Sequence, residues 1–295
     1  MSFDQLVLGT AGIGGIWGAV VREDSIQTIL QALEAGVTAI DTAPAYRDAE
    51  EMVGSALRQW TGPRPFISSK VGRLPGKTAE DAHYDYSRSA MWRSVENTLH
   101  KLQVDSLDLL FLHDPEGMSE LEFAAAVAVM QELQQQKYTH ALGIGGNPPP
   151  FAWKWLQQGI FSTLMEFNRL NAIQTPALHT SLPACVRADI HYYAASPLYM
   201  GLLGKSLENF STTPPAWLPA AAISKARQLA LLAEEAGITL PTLAHRFLQT
   251  IPVKYKVVIG SSNPVELAAT LQSFGEGPLP PHLYEKILQI SQEYQ

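Results

Sequence analysis

The feature that most constrains this chain is an alternation of two hydrophobic patterns along its whole length. Short apolar runs at 6–8, 37–40, 65–68, 107–112, 140–144, 163–167, 190–194 and 257–259 read as strands. Helix-like amphipathic patterns fill the gaps at 25–34, 49–59, 87–102, 119–135, 151–158, 175–184 and 220–236, with one more near 282–293. Strands separated by helices are parallel, because the crossover returns the chain to its starting edge. Eight is also the number that closes a parallel sheet on itself, in a fold that takes ~250 residues. The 295 residues therefore predict an α/β fold with a single (β/α)8 barrel, one domain spanning 1–295, with the surplus in loops and the C-terminal helix. An open doubly wound sheet is the alternative. It needs fewer strands or a second domain, and no Pro/Gly/Ser-rich linker divides the chain.

Punctuation supports the pattern. Gly36 and Gly237 each close an EAG triplet, where a helix end wants a left-handed residue. The segment 201–219 carries three prolines and separates a strand from the next helix. Its length suits either a binding loop over the barrel mouth or a surface excursion.

Composition narrows the partners. A net charge of −7 argues against nucleic acid or an anionic membrane surface. The single cysteine, Cys185, excludes an internal disulfide and a cysteine-based zinc site. No metal is expected. Neither a secretory leader nor an apolar run of ~20 residues is present, so the expectation is a cytoplasmic protein without a membrane partner.

Three apolar runs end in titratable residues: Asp41, Lys70 and His113. In a parallel α/β sheet these are the carboxyl ends of strands, where ligands bind. Tyr46 follows Asp41 by five positions. Its phenol, with an ordinary pKa of ~10, exchanges protons poorly near neutrality. An ammonium such as Lys70 beside it lowers that pKa, and Asp41 keeps the ammonium charged and oriented. His113 can hydrogen-bond a substrate oxygen. The set makes a positioned proton donor facing a carbonyl, or a base facing an alcohol. Singly, these residues are more often caps, turns or solvated strand ends; three successive strand ends plus a tyrosine are harder to assign to accident.

The motifs GTAGIGG, DTAPAY followed by Glu50, ISSKVG, LDLLFLHDPE, GIGGN and SPLYMGLL occur in this order. In this arrangement the chain resembles the aldo/keto reductases from about residue 6 to 274. It is most similar there to sugar dehydrogenases of the L-fucose, D-threo-aldose and galactose types and to a pyridoxal dehydrogenase. The resemblance implies a (β/α)8 barrel that moves hydride between a nicotinamide cofactor and a carbonyl or alcohol. It implies Tyr46 as acid/base, Lys70 and Asp41 as its tuning pair and His113 as the substrate-orienting group.

The resemblance also implies a cofactor stretched over the barrel mouth. Asn147 matches a residue that holds the carboxamide; the Ser usual beside it is Gly146, and the usual Gln is Leu164. Asn168 is a further candidate for that end. Ser196, Leu198 and Gly201 match the loop around the pyrophosphate, and Ala195 stands where an aromatic often stacks on the nicotinamide. Gly260, Ser261 and Glu266 fall at the adenosine end. Relatives that use NADP often carry Lys and Arg where this chain has Gly260 and Glu266. A carboxylate there repels a 2′-phosphate and accepts ribose hydroxyls, so NAD is the expected cofactor. Trp17 matches a substrate-pocket position; Tyr84, Tyr86 and Trp92 are weaker candidates or simply packing.

The expected reaction is oxidation of an aldose C1 hydroxyl to a lactone, or reduction of a small aldehyde or ketone. The expected partner is a small carbonyl or sugar substrate; oligomeric state is not legible. Two alternatives stay open. One is a cofactor-binding barrel with a regulatory or partner-binding role and little turnover. The other is a barrel isomerase or lyase without nicotinamide, which leaves SPLYMGLL and IGSSN unexplained.

Overall fold

The strands form where apolar runs can be buried on both faces. In a computed structural model describing residues 3–76, 81 and 83–292, eight of them close into a parallel barrel. They are β1 (Leu6–Gly9), β2 (Ala39–Asp41), β3 (Phe66–Val71), β4 (Leu107–His113), β5 (Thr139–Gly145), β6 (Thr163–Phe167), β7 (His191–Ala195) and β8 (Lys256–Gly260). Each pairs with its sequence neighbour, and β1 pairs with β8 in register Leu6 with Val257 to close the ring.

Side-chain alternation sorts the core into two layers. Val7, Ala39, Leu109, Phe111, Met165, Tyr193 and Val258 form one cluster inside the barrel. Their strand neighbours Leu6, Leu8, Ile40, Ile67, Leu110 and Leu112 pack outward in a second, larger cluster with the helices. The inner layer is close-packed. A Cβ on Gly143 of β5 would sit 2.6 Å from the Phe111 ring. Gly143→Ala therefore overpacks the barrel, with an expected loss of about 1–3 kcal/mol, read as a lower urea midpoint at unchanged m-value.

The helices wrapping the barrel are α1 (Arg22–Glu34), α2 (Ala49–Gln59), α3 (Arg88–Leu102), α4 (Glu120–Gln135), α5 (Trp153–Gln157), α6 (Ser181–Arg187), α7 (Leu207–Thr212), α8 (Ala220–Glu235), α9 (Leu240–Thr250), α10 (Pro264–Gly275) and α11 (Pro281–Gln292). Gly36 and Gly237 have φ of +94° and +68°, as the EAG triplets require. Four features differ from the sequence reading. The helix expected over 175–184 is a short 3-10 turn, Pro176–Leu178, followed by α6. Three helices, α7, α8 and α9, lie between β7 and β8; the Thr239 hydroxyl caps α9 and Pro241 sits in its first turn, so the chain restarts a helix directly after Gly237. Helix α10 begins at Pro264 with Asn263 as its side-chain cap. A two-stranded antiparallel excursion, Arg73–Leu74 with His83–Tyr84, leaves the carboxyl end of β3. The segment 201–219 holds α7 and otherwise turns. No helix among the described residues is long and apolar enough to cross a membrane.

Candidate active site

The register places Asp41 of β2 opposite Ser68 of β3, and Lys70 follows Ser68 on the same strand face. Lys70 Nζ donates to Asp41 Oδ2 at 2.5 Å and to the Thr42 carbonyl at 2.9 Å. Ser68 Oγ donates to Asp41 Oδ1 at 2.8 Å, so both carboxylate oxygens are occupied. All three side chains are buried. Burial works to lower the Lys70 pKa, but Asp41 and then Tyr46 outweigh it, and the ammonium is held above the ordinary lysine value.

Tyr46 ends a 3-10 turn, Pro44–Tyr46, that follows β2 directly. The Lys70 ammonium lies 4.8 Å from its ring centroid. The His113 ring meets it edge-on at 5.9 Å between centroids. The sequence suggests that Lys70 brings the phenol's pKa down. The contribution of Lys70 has that sign, but burial is larger and the net direction is upward. The tyrosine therefore rests protonated. His113 is held well below the ordinary histidine value by burial, then by Lys70 and Arg73, so it is a neutral imidazole. Its Nδ1 is buried without a partner among the described residues, while Nε2 lies 3.8 Å from Asp114 Oδ2. The Tyr86 hydroxyl reaches the carbonyl oxygens of His113 at 2.7 Å and Asp114 at 3.0 Å, which ties the end of β4 to the excursion after β3.

A cleft of about 1570 Å³ opens over the carboxyl ends of the strands. Trp17, Asp41, Tyr46, Ser196, Leu198, Gly201, Gly260, Ser261 and Glu266 line it. Lys70 and His113 lie behind its wall, against Asp41 and Tyr46. Asn147 and Asn168 stand one step off the lining. Asn147 Oδ1 accepts the Phe167 N–H at 3.2 Å, and the Asn168 N–H donates to the Ala195 carbonyl at 3.3 Å. Asn168 is left-handed at φ 52°, and its Oδ1 is buried without a partner among the described residues. Trp17 is 55% exposed at the mouth. Trp92 instead packs on Tyr138 at 5.2 Å, with Arg88 over its ring, and Tyr84 stacks on Tyr86.

At the far end, Glu266 is more constrained than a solvated helix residue. Its Oε2 accepts the Ser262 N–H at 2.9 Å, its own N–H donates to Asn263 Oδ1, and Oε1 pairs with Lys205 at 2.5 Å. Burial would raise its pKa, but Lys205 and Ser262 outweigh it and the carboxyl is held below its usual value.

Some of these residues were not singled out from the sequence. Ser68 could have been, since two positions before Lys70 on a strand means the same face. Phe167, 42% exposed in the cleft at the end of β6, could have been read from its strand-end position. Lys205 lies 61 residues from Glu266, and nothing local pairs them.

An extended dinucleotide suits this cleft. Among the described residues, Ser261 Oγ is buried on its wall without a hydrogen-bond partner, and a Cβ on Gly260 would meet only open space. The sequence profile of the aldo/keto reductase family matches residues 5–292. The chain belongs to the aldo/keto reductase family. Its members use NAD(P)H, and the chain is an oxidoreductase of this type. The L-galactose dehydrogenase of Arabidopsis thaliana is 26% identical over 265 residues, covering 86% of this chain and 79% of the relative. The D-threo-aldose 1-dehydrogenase of a Pseudomonas species is 27% identical over 292 residues, covering 90% and 88%. The solved glycerol dehydrogenase of Gluconobacter oxydans superposes with a TM-score of 0.78 at 22% identity, covering 97% of this chain and 90% of that one, which bears on the fold.

Proposed function

We propose that this aldo/keto reductase oxidises an aldose at C1 to the lactone and, in reverse, reduces small aldehydes, with Tyr46 as the acid/base. The observation that carries the reading is the convergence of Lys70, held by Asp41, and His113, from consecutive strands of the barrel, on the Tyr46 ring. The names of two relatives, L-galactose dehydrogenase and D-threo-aldose 1-dehydrogenase, support the substrate class.

A nicotinamide bound in the cleft supplies the hydride acceptor or donor. The chain's own residues handle the proton. In reduction, Tyr46 rests protonated because it is buried, and its hydroxyl gives the proton to the substrate oxygen. Lys70 stays charged because Asp41 holds it, and its ammonium steadies the phenolate that results. His113 is neutral and donates one hydrogen bond to the same oxygen without competing for the proton. In oxidation, Tyr46 removes the proton from the C1 hydroxyl by the reverse of these steps. Trp17 offers an apolar face to a sugar ring at the mouth. Asn147 and Asn168 suit the carboxamide. The loop with Ser196, Leu198 and Gly201 suits the pyrophosphate. Incubating the protein with an aldose and oxidised cofactor, then trapping lactone with hydroxylamine, tests the substrate class. A product with no reactive acyl group would overturn it.

For the cofactor we infer NAD over NADP. Gly260, Ser261 and Glu266 sit at the adenosine end, and Glu266 is an ionised carboxylate there. Lys205 already partners it, which leaves the ammonium less able to take a 2′-phosphate. An NADH-specific methylglyoxal reductase of Escherichia coli, 27% identical over 219 residues, is in keeping with this. The expected result is a higher kcat/KM with NAD than with NADP. Glu266→Ala should shift that ratio toward NADP by about tenfold, the effect of roughly 1.4 kcal/mol. A wild-type enzyme that prefers NADP would overturn the inference.

A further inference from the structure

Asp114, in the turn after His113, has no task in the reaction described above. It adopts the left-handed region at φ 49°, which Asp tolerates better than most residues. Its N–H donates to the Gly145 carbonyl at 2.7 Å, and Tyr86 reaches its own carbonyl at 3.0 Å. The turn is thereby fixed, and the carboxyl group is delivered to a defined place.

The two carboxyl oxygens differ. Oδ2 accepts from Arg73 Nη1 at 2.9 Å and lies 3.8 Å from His113 Nε2. That separation is too long for a hydrogen bond. It is short enough for the negative charge to favour the tautomer with its proton on Nε2, the form that donates to a substrate oxygen. Oδ1 receives no hydrogen bond from the described residues, and it faces Gly146. A Cβ at position 146 would lie 2.8 Å from Oδ1 and 2.9 Å from the Asp114 Cα. Any side chain there would cover the oxygen or collide with the turn. Glycine, at φ +136°, leaves it open. This explains the absence of Ser at position 146: the space beside Gly146 belongs to Asp114. The Asp114 side chain keeps 31% of its surface exposed, and Oδ1 carries no hydrogen bond from the described residues, which leaves the carboxylate an acceptor to spare in the turn that carries the imidazole.

We propose that Asp114 selects substrates bearing a hydroxyl on the carbon next to the reacting one, by accepting a hydrogen bond from that hydroxyl. This rests on the reading that His113 and Tyr46 flank the reacting oxygen. An oxygen held by Nε2 at ~2.9 Å puts a hydroxyl on the adjacent carbon within reach of the Asp114 carboxylate. An aldose carries that hydroxyl at C2. A simple aldehyde leaves the carboxylate desolvated and unpaired, and sites built around a substrate hydroxyl reject analogues that lack it. An α-keto acid would bring a second carboxylate to the same spot and is repelled.

D-Glyceraldehyde and propanal share a carbon chain and differ in their hydroxyls, so their relative kcat/KM in the reductive direction reads the contact. The wild-type enzyme should favour glyceraldehyde. Asp114→Ala should lower that preference about tenfold or more, and Asp114→Asn, which keeps a weaker neutral acceptor, should fall between. The ratio is internal to each protein, so partial unfolding does not move it. An unchanged ratio overturns the proposal. So does an equal loss on both substrates, which would assign Asp114 to holding His113 in place. The parent reading fails separately: a Tyr46→Phe enzyme that still turns over both aldehydes sinks it, while the Asp114 ratio remains a readable result.

Discussion

Tyr46→Phe should abolish turnover while leaving the cleft intact. Removing a positioned general acid costs typically 10²- to 10⁴-fold in rate. The expected result is a fall of that size in kcat, in both directions of the reaction. The phenyl ring keeps its edge contact with His113 and its place under the Lys70 ammonium, so packing around it should hold. Cofactor affinity, followed by quenching of protein fluorescence, should stay close to wild type because the substitution removes only a hydroxyl. A simultaneous loss of cofactor binding would mean that Tyr46 holds the site together rather than moving a proton. Retained turnover would remove it from the assigned role.

Lys70→Met should be the most damaging single change to stability near the site. It leaves Asp41 buried with Ser68 as its one remaining side-chain donor among the described residues. Breaking a buried ion pair from one side typically costs about 3–5 kcal/mol, because the other charge is left uncompensated. Asp41→Asn strands the Lys70 ammonium in the same way. The double variant, Asp41→Asn with Lys70→Met, should lose less than the sum, since no charge is left behind. Urea unfolding of the three variants checks this; strictly additive losses would contradict the coupling. The pair also sets a pH dependence. The folded-state pKa of Lys70 is raised. Its stabilisation is therefore fully present below the unfolded lysine value of ~10.4. It is lost as the pH rises from there through the folded value, because the unfolded chain gives up the proton first. Urea midpoints of wild type should fall across this alkaline range, and the fall should be smaller in the double variant.

The barrel was legible because parallel strands buried on both faces leave near-continuous apolar runs. Their ends were less so. The apolar run that opens β3 gives way to Ser68, Ser69 and Lys70, yet the strand continues to Val71 because those polar groups find partners inside the barrel and behind it, at Asp41 and Glu50. Helix α10 could have been anticipated: Asn263, Pro264 and Glu266 form a cap, a first-turn proline and an acid at the third position. Three helices in succession between β7 and β8 were harder, since strict alternation calls for one.

In the candidate site, Asp41, Lys70 and His113 were readable because each lies at the last or last-but-one position of a strand, and a strand's end locates its side chain without further folding information. The Lys205–Glu266 pair and the Asp114–Gly146 approach were not. The first joins a turn to the first turn of a helix far along the sequence; the second depends on a left-handed backbone angle that no spacing announces. The direction of the Tyr46 shift was missed for a related reason. Lys70 was visible in the sequence as a charge, whereas the burial that outweighs it comes from the assembled barrel mouth.

The central claim is that these residues run nicotinamide-dependent oxidoreduction on a sugar or small carbonyl. Its most direct test is the near-ultraviolet absorbance of reduced cofactor, followed while the purified protein is mixed with NAD and a panel of aldoses, and in reverse with NADH and a panel of small aldehydes. The account predicts cofactor reduction with at least one aldose and cofactor oxidation with at least one aldehyde, both lost in Tyr46→Phe. Cofactor binding by fluorescence quenching with no turnover on either panel would contradict it.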